Sequence, residues 1–485
     1  MIARVVLALL IPASLAFFVI SLLWRSPKTA LGIFCIKIFL AAGLGCGIFS
    51  CTFLIWLSVF GASTKAFWLT QAIICIVLAL VWWRTRGQAP PPPPAEVAAS
   101  PNPQLRFGWA LDLVFFIALI SAISAFIFLT LKSPHGNWDA WAVHNMKARL
   151  IFRAGDAWQT TFSSLPAWAS LDYPLLVSFT IAGGWTLVGN DTLIIPGVVA
   201  FLFTFGTVGL LVSSLSISRS KAQGLLAGLV LLGSPLFIAQ GSNQYLDIPI
   251  GYFFLASLSL FSLLDHLPDN QWGLLVLAGM STGFSAWTKN EGFLFILAVV
   301  VARFFMITAK QGLKTYLKQM RPFAIGLGPV VLVIIYFKAR FGAANLFLSG
   351  DGASILEKLL DGGRYVTVLS ELKTQLTGMG GWTIAPIIVL LLYLLLLGPG
   401  KEWKNPNAIA ALMTLFLMLL GYFFIFIITP FDLKWHLATT LDRLLMQLWP
   451  SFIFVFFLSV RTPEYMKHYR DHLVEQTTGT TYIDL

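Results

Sequence analysis

Long apolar runs, each broken by a few polar residues, make up most of this chain. They occupy residues 5–23, 31–60, 66–83, 109–131, 192–217, 222–240, 247–264, 271–288, 292–307, 322–338, 382–398, 408–429 and 443–460. Most approach the roughly 20 residues with which a helix crosses the hydrocarbon core of a bilayer. The pattern predicts an all-α polytopic membrane protein with about 13 transmembrane helices. The first run has only Arg4 ahead of it and no small-residue cleavage site, so it reads as an uncleaved helix rather than a signal peptide. One more run, 175–190, would be about 24 Å long as a helix, short for a crossing.

The stretch from Arg84 to Arg106 breaks the pattern with five consecutive prolines, which cannot continue a helix and favour an extended spacer. It marks a cytoplasmic linker (84–107) between an N-terminal three-helix unit (1–83) and a larger membrane domain (108–460), followed by a polar cytoplasmic tail (461–485). Within the larger domain, the loop 132–191 is the most polar interruption. It gathers Asp139, His144, Lys147, Arg149, Arg153, Asp156 and Asp172 among several tryptophans.

Charge placement sets the expected topology. If 175–190 lies in the interface instead of crossing, Arg25/Lys28, Arg84/Arg86/Arg106, Arg219/Lys221, Lys310/Lys314/Lys318/Arg321, Lys401/Lys404 and the tail all share one side. The positive-inside rule makes that side the cytoplasm. The N-terminus is then external, and Asp139, Asp247, Lys289–Glu291 and Asp432–Arg443 meet on the external face. The expected location is a bacterial cytoplasmic (inner) membrane, with these clusters facing the periplasm.

Composition agrees. Of 485 residues, 58% are apolar and 11% charged, against about 25% charged in soluble domains. The net charge of +11 sits in short connections between spans, so it argues for membrane topology and against a nucleic-acid partner. Cys35, Cys46, Cys51 and Cys75 have no metal-binding or redox spacing, and no disulfide is expected.

Four polar clusters carry the candidate chemistry, and each has a plainer reading. Asp139 lies between Trp138 and Trp141. A partly desolvated carboxylate there suits a general base, while tryptophans at an interface also form an aromatic belt. Asp247, in the Tyr245–Pro249 element, fits a second acid or ordinary helix-start chemistry. Lys289 and Glu291 interrupt two apolar runs; they form either a self-satisfying pair or a cavity-facing cation for a phosphate. Arg443 has the fork for a phosphate or carboxylate, or snorkels to headgroups. His135, His144 and His436 share the expected external face, which makes a divalent metal conceivable, but no His/acid spacing typical of a metal site is present, and the expectation is no metal and no other cofactor.

In order and spacing these elements resemble the GT-C superfamily of integral membrane glycosyltransferases, which use polyprenyl-phosphate sugars. The similar branches are the protein O-mannosyltransferase-like enzymes and the lipid A aminoarabinose transferases. The resemblance covers roughly 109–460. It rests on Asp139 soon after the first span of the larger domain, Gly155-Asp156-Ala157-Trp158, Asp172-Tyr173-Pro174-Leu175, Tyr245-x-Asp247-x-Pro249, Thr288-Lys289-x-Glu291-Gly292 and Arg443. It implies Asp139 as catalytic acid/base, Lys289 and Arg443 as donor-phosphate contacts, and Asp247 as a second acid. Trp138, Trp141, Lys147, Asp172, Tyr173, Tyr245, Glu291 and His436 follow as supporting or acceptor-side residues. Two departures stand out: Ala140 occupies the place of a second acid, and Asp172-Tyr173-Pro174 replaces a Pro-Pro element.

The implied activity is inverting transfer of a hexose or pentose from a polyprenyl-phosphate donor to a lipid, glycan or protein acceptor. The alternatives are a membrane transporter or lipid-linked sugar flippase, and a polysaccharide polymerase or ligase. Charges at one surface and the lack of a repeat set the chain apart from the usual transporter pattern. A stretch over Ser354–Leu376 is expected as an amphipathic helix over the external clusters, either a lid or a passive interfacial helix.

Overall fold

The computed structural model describes residues 1–25, 31–86, 108–164, 172–267, 269, 271–342, 352–381 and 385–465. Among them the chain is helical, with one isolated bridge between Pro399 and Val460. Most of the Pro-rich linker and most of the polar tail lie outside the described residues.

In chain order the helices are α1 (Ile2–Leu23), α2 (Leu31–Phe60), α3 (Thr64–Thr85), α4 (Gly108–Lys132), α5 (Asn145–Ala154), α6 (Leu176–Val188), α7 (Ile194–Ser218), α8 (Lys221–Leu232) and α9 (Pro235–Ser242). They continue as α10 (Asp247–Leu263), α11 (Gln271–Thr288), α12 (Glu291–Gln311), α13 (Leu313–Phe341), α14 (Gly352–Leu360), α15 (Gly362–Gly378), α16 (Pro386–Leu397), α17 (Pro406–Ile428) and α18 (Leu433–Ser459).

Nine of the described helices are long and apolar enough to cross a membrane, or ten if α8 and α9, bent by 67°, form one broken span. Thirteen were expected from the sequence. The other three runs are helices that fall short. α10 has 17 residues and α16 has 12, while α11 has 18 but dilutes its apolar residues with Gln, Ser, Thr and Gly. α15 runs beside α17: its Arg364 donates to the carbonyls of Phe426 and Ile427 at the end of α17, and its Leu376 lines one recess with Leu412 of α17. The expected amphipathic helix over Ser354–Leu376 is therefore two helices, broken at Asp361, and the second packs down along α17 and α18.

The 175–190 run is a short helix, α6, as expected. Both ends of α6 lie at the same end of the bundle, because Val188 accepts from Arg4 and Asp172 accepts from Asn290. It does not cross. It is covered by protein as well, since residues 174–185 are all buried, packed among α1, α2 and α5.

One apolar core runs through the bundle, and α1 and α2 belong to it. The Tyr252 ring of α10 presses on Gly43 and its hydroxyl donates to the Phe39 carbonyl (2.7 Å). Trp287 of α11 donates to Ser50 (2.9 Å). At one end of the bundle, Arg219 pairs with Glu402 and Ser220 meets Glu464. At the other end, the polar groups of the 132–191 loop collect.

Candidate active site

The turn between α9 and α10 sets the position of the first charged group. Gln244 has φ of 61°, a left-handed conformation that costs a non-glycine residue free energy unless its surroundings hold it. Its side chain donates to the Pro134 carbonyl (3.1 Å) and accepts from Asn145 (2.7 Å). The Asn137 N–H donates to the Asn243 carbonyl (3.1 Å). Gly136, at φ 76°, allows this approach: a Cβ there would lie 2.7 Å from the Asn243 oxygen and 2.6 Å from Ala140 Cβ. Turn and loop thus form one unit. Asp139 follows at the mouth of a π-helical turn, Ala140–His144, a widened backbone that recurs at functional sites.

Asp247, the first residue of α10, is fully buried, and its two oxygens take different partners. Oδ1 accepts from Lys289 Nζ (2.9 Å) and Gln447 Nε2 (2.6 Å). Oδ2 accepts from Arg443 Nε (3.0 Å) and Nη2 (2.8 Å). Arg443 Nη2 also reaches Asp139 Oδ2 at 2.5 Å, and its guanidinium lies over the Tyr245 ring at 4.3 Å. Lys289 Nζ is 2.8 Å from Glu291 Oε1. Three carboxylates face two cations, so the network carries one formal negative charge.

Lys289 reaches this position because α12 starts hard against the end of α11. A Cβ on Gly292 would lie 2.2 Å from backbone atoms of Ser285 and Ala286. Burial alone would lower the Lys289 pKa, but Asp247 and Glu291 more than reverse that and hold it above the ordinary lysine value.

A second polar group adjoins the first through Asn290, which donates to Asp172 Oδ2 (2.7 Å) and accepts from Lys338 (3.0 Å). Lys338 also donates to the Asp172 backbone carbonyl. Lys147 is 1% exposed nearby. Burial first, with Lys338 opposing the pull of Asp172, lowers its pKa to about 7. Burial, then Lys147, Lys289 and Arg443, hold His144 well below the usual histidine value, so the ring is neutral at pH 7. Burial, then Glu291, raises the Tyr173 phenol, which stays protonated.

Asp139, Asp247, Lys289, Glu291, Arg443 and Tyr245 thus meet as a single network, with Lys147, Asp172 and Tyr173 alongside. Trp138 and Trp141 pack edge-to-face at 4.9 Å and remain 55% and 47% exposed. His436 does not join. Its ring packs against Phe426 (4.9 Å) and Phe431 (5.6 Å) at the start of α18. Asp156, from the Gly-Asp-Ala-Trp element, instead accepts from the Ala62 N–H (2.7 Å) and ties the loop to the α2–α3 turn. Among the described residues, no three His, Cys, Asp or Glu side chains are grouped to hold a metal ion.

Sequence reasoning missed Gln447, Tyr422, Asn290 and Lys338. Gln447 had a signal: it follows Arg443 by four positions and so shares its helical face. Its carbonyl accepts from the Tyr422 hydroxyl at 2.7 Å.

Residues 172–337, about a third of the chain, match the family model described as dolichyl-phosphate-mannose-protein mannosyltransferase. Over that stretch the chain is similar to that family. The match takes in Asp172, Tyr173, Tyr245, Asp247, Lys289 and Glu291, and ends just short of Lys338. It supports glycosyltransferase activity that draws on a polyprenyl-phosphate-linked sugar. No curated protein and no solved structure matches the chain.

Proposed function

We propose that this protein transfers a sugar from a polyprenyl-phosphate donor to an acceptor hydroxyl at the periplasmic face of a bacterial cytoplasmic membrane. The observation that carries the reading is the convergence of Asp139, Arg443, Asp247 and Lys289, from four distant parts of the sequence, in one network at one end of a membrane bundle.

The acceptor oxygen attacks the anomeric carbon as the bond from that carbon to the phosphate oxygen breaks, with inversion. Asp139 takes the hydroxyl proton, and the bonding pair leaves with the lipid phosphate. Arg443 and Lys289 stabilise the charge growing on that phosphate. Asp247 is too deeply enclosed by donors to reach substrate. It acts as a positioning residue that fixes the angle of both cations. In the resting network Asp139 is held by Arg443, and the net charge of the network opposes an incoming phosphate. A phosphate that replaces Asp139 on Arg443 Nη2 removes that opposition and leaves the Asp139 carboxylate available as base.

The donor's hydrocarbon chain needs an apolar recess. One of about 310 Å³ lies between α15, α16, α17 and α18, lined by Leu376, Leu412, Leu445, Leu448 and Trp449, on the face of α18 turned away from Arg443.

The deciding experiment compares envelope glycolipids and glycans by mass spectrometry in cells with and without an active copy of the gene. One sugar residue should disappear from one envelope component while its polyprenyl-phosphate form accumulates. Identical profiles, with no change in the carrier lipids, would overturn the proposal.

A further inference from the structure

The Asp247 network leaves one recess at the same end of the bundle unaccounted for. An open cavity of about 550 Å³ is lined by Ser133, Pro134, His135, Gly136, Trp141 and Arg149. Its size falls within the range of small-molecule sites, about 300–1,000 Å³. No residue of the Asp247 network lines it, yet its wall is the loop that carries Asp139.

One lining residue, Arg149, belongs to a charged trio. Arg149 Nε and Arg153 Nε and Nη2 all converge on one oxygen, Asp191 Oδ2, at 2.9, 3.0 and 2.6 Å. Two guanidiniums, with five N–H donors apiece, thus face a single carboxylate, and the group carries one formal positive charge. It stands beside a network of opposite sign. Arg149 also lies 5.7 Å from the Trp185 ring, which fixes its approach from behind. The Arg149 and Arg153 side chains are 27% and 63% exposed, so both reach water. Trp141 offers a half-exposed indole, a surface on which the C–H face of a pyranose stacks while its polar edge stays in water.

From this we infer that the cavity is the acceptor subsite, and that it takes a sugar bearing an anionic group, phosphate or carboxylate, held by Arg149 and Arg153 with its ring against Trp141. The inference rests on the transferase reading for the word acceptor, but the anionic-sugar site stands or falls by binding alone. An acceptor seated there touches the 133–141 loop that carries Asp139. The positive rim and the negative network then sort two anionic substrates: the acceptor's charge is held at the arginines, and the donor's at Arg443 and Lys289.

The test is calorimetric titration of the full chain in nanodiscs with four probes. Glucuronic acid and glucose form a soluble pair; dodecyl glucuronide and dodecyl glucoside, below micellar concentration, form a lipid-like pair. Glucuronic acid should bind at least tenfold more tightly than glucose. R149A/R153A should abolish that preference. Asp191→Asn should strengthen it, because the competing carboxylate is gone; a purely structural role for the trio would weaken it instead. A further gain from the dodecyl chain, seen only with the glucuronide, identifies a lipid-borne acceptor, and no gain identifies a soluble glycan; the site holds either way. Equal binding of acid and neutral sugar, or a preference that survives R149A/R153A, would overturn it. Arg149-dependent glucuronate binding in a protein that transfers no sugar would refute the transferase reading and leave the site intact.

Discussion

Asp139→Asn separates the proton-accepting role of this residue from its structural role. The substitution keeps size and shape, and the new amide carbonyl still accepts from Arg443 Nη2, now 2.5 Å from Asp139 Oδ2. The lost ion pair is mostly shielded from water, with side chains 18% and 28% exposed, but its hydrogen bond is kept, so the change should cost no more than about 1.5–3 kcal/mol, the worth of a charged hydrogen bond. Arg443 keeps two bonds to Asp247, so no buried charge is left without a partner. The chemical loss is larger. General-base assistance contributes about 10²–10⁴-fold, and kcat should fall by that factor. Donor affinity should move the other way or stay fixed, because the network changes from one net negative charge to neutral.

Single-turnover transfer from labelled polyprenyl-phosphate sugar to envelope acceptors, by the reconstituted full chain, measures both quantities. A melting curve beside it checks that the fold is unchanged. Transfer within threefold of wild type would refute Asp139 as base. A defect found wholly in donor KM would refute the picture in which Asp139 competes with the phosphate for Arg443.

Two further outcomes follow from burial. Lys289→Met deprives the fully buried Asp247 of one cation, and breaking such a pair costs about 3–5 kcal/mol, whereas Glu291→Gln, at a 15% exposed side chain whose amide oxygen still accepts from Lys289, should cost less; equal melting temperatures for the two variants would contradict the assigned depths. Lys147, lowered from 10.5 to about 7 by burial, is neutral in the folded chain and charged in the unfolded chain between those values. The unfolded state then binds the extra proton, and stability rises with pH across that window. Lys147→Met, which never carries the buried charge, should therefore gain most over wild type near pH 6 and lose that advantage progressively as pH rises toward 10.5; a difference in unfolding free energy that is flat or widens with pH would show that Lys147 is not depressed.

Much of the architecture was legible because the bilayer imposes a length on every crossing. Apolar runs near 20 residues marked the helices, and Lys and Arg placement argued that 175–190 turns back instead of crossing. Its burial was not legible. A 13-residue apolar helix looks the same whether it lies against lipid or against α2, and only partners such as the Cys46 carbonyl, which accepts from Thr180 (3.2 Å), decide between them. The packing of α15 along α17 and α18 was hidden for a related reason: a helix with an amphipathic face suits a membrane surface as well as a groove between two helices.

The site was legible as a list of charges and illegible as a circuit. Asp139, Asp247, Lys289 and Arg443 stood out because a charge near hydrocarbon has to be satisfied or used. Which charge satisfies which depends on side-chain direction, and no local pattern carries that across nearly 200 residues from Asp247 to Arg443. The carry-over from family resemblance gave both cations to a phosphate. The geometry instead gives both to carboxylates first, so any anionic donor meets occupied cations. Gln447 shows why this arrangement is stable: by donating to Asp247 Oδ1 while Tyr422 donates to its own carbonyl, it satisfies the buried acid without adding charge. A third cation in its place would have neutralised the network, but it would also have competed with Asp247 for control of Arg443. A neutral donor leaves Arg443 as the one described group that bridges the buried anchor and the exposed base.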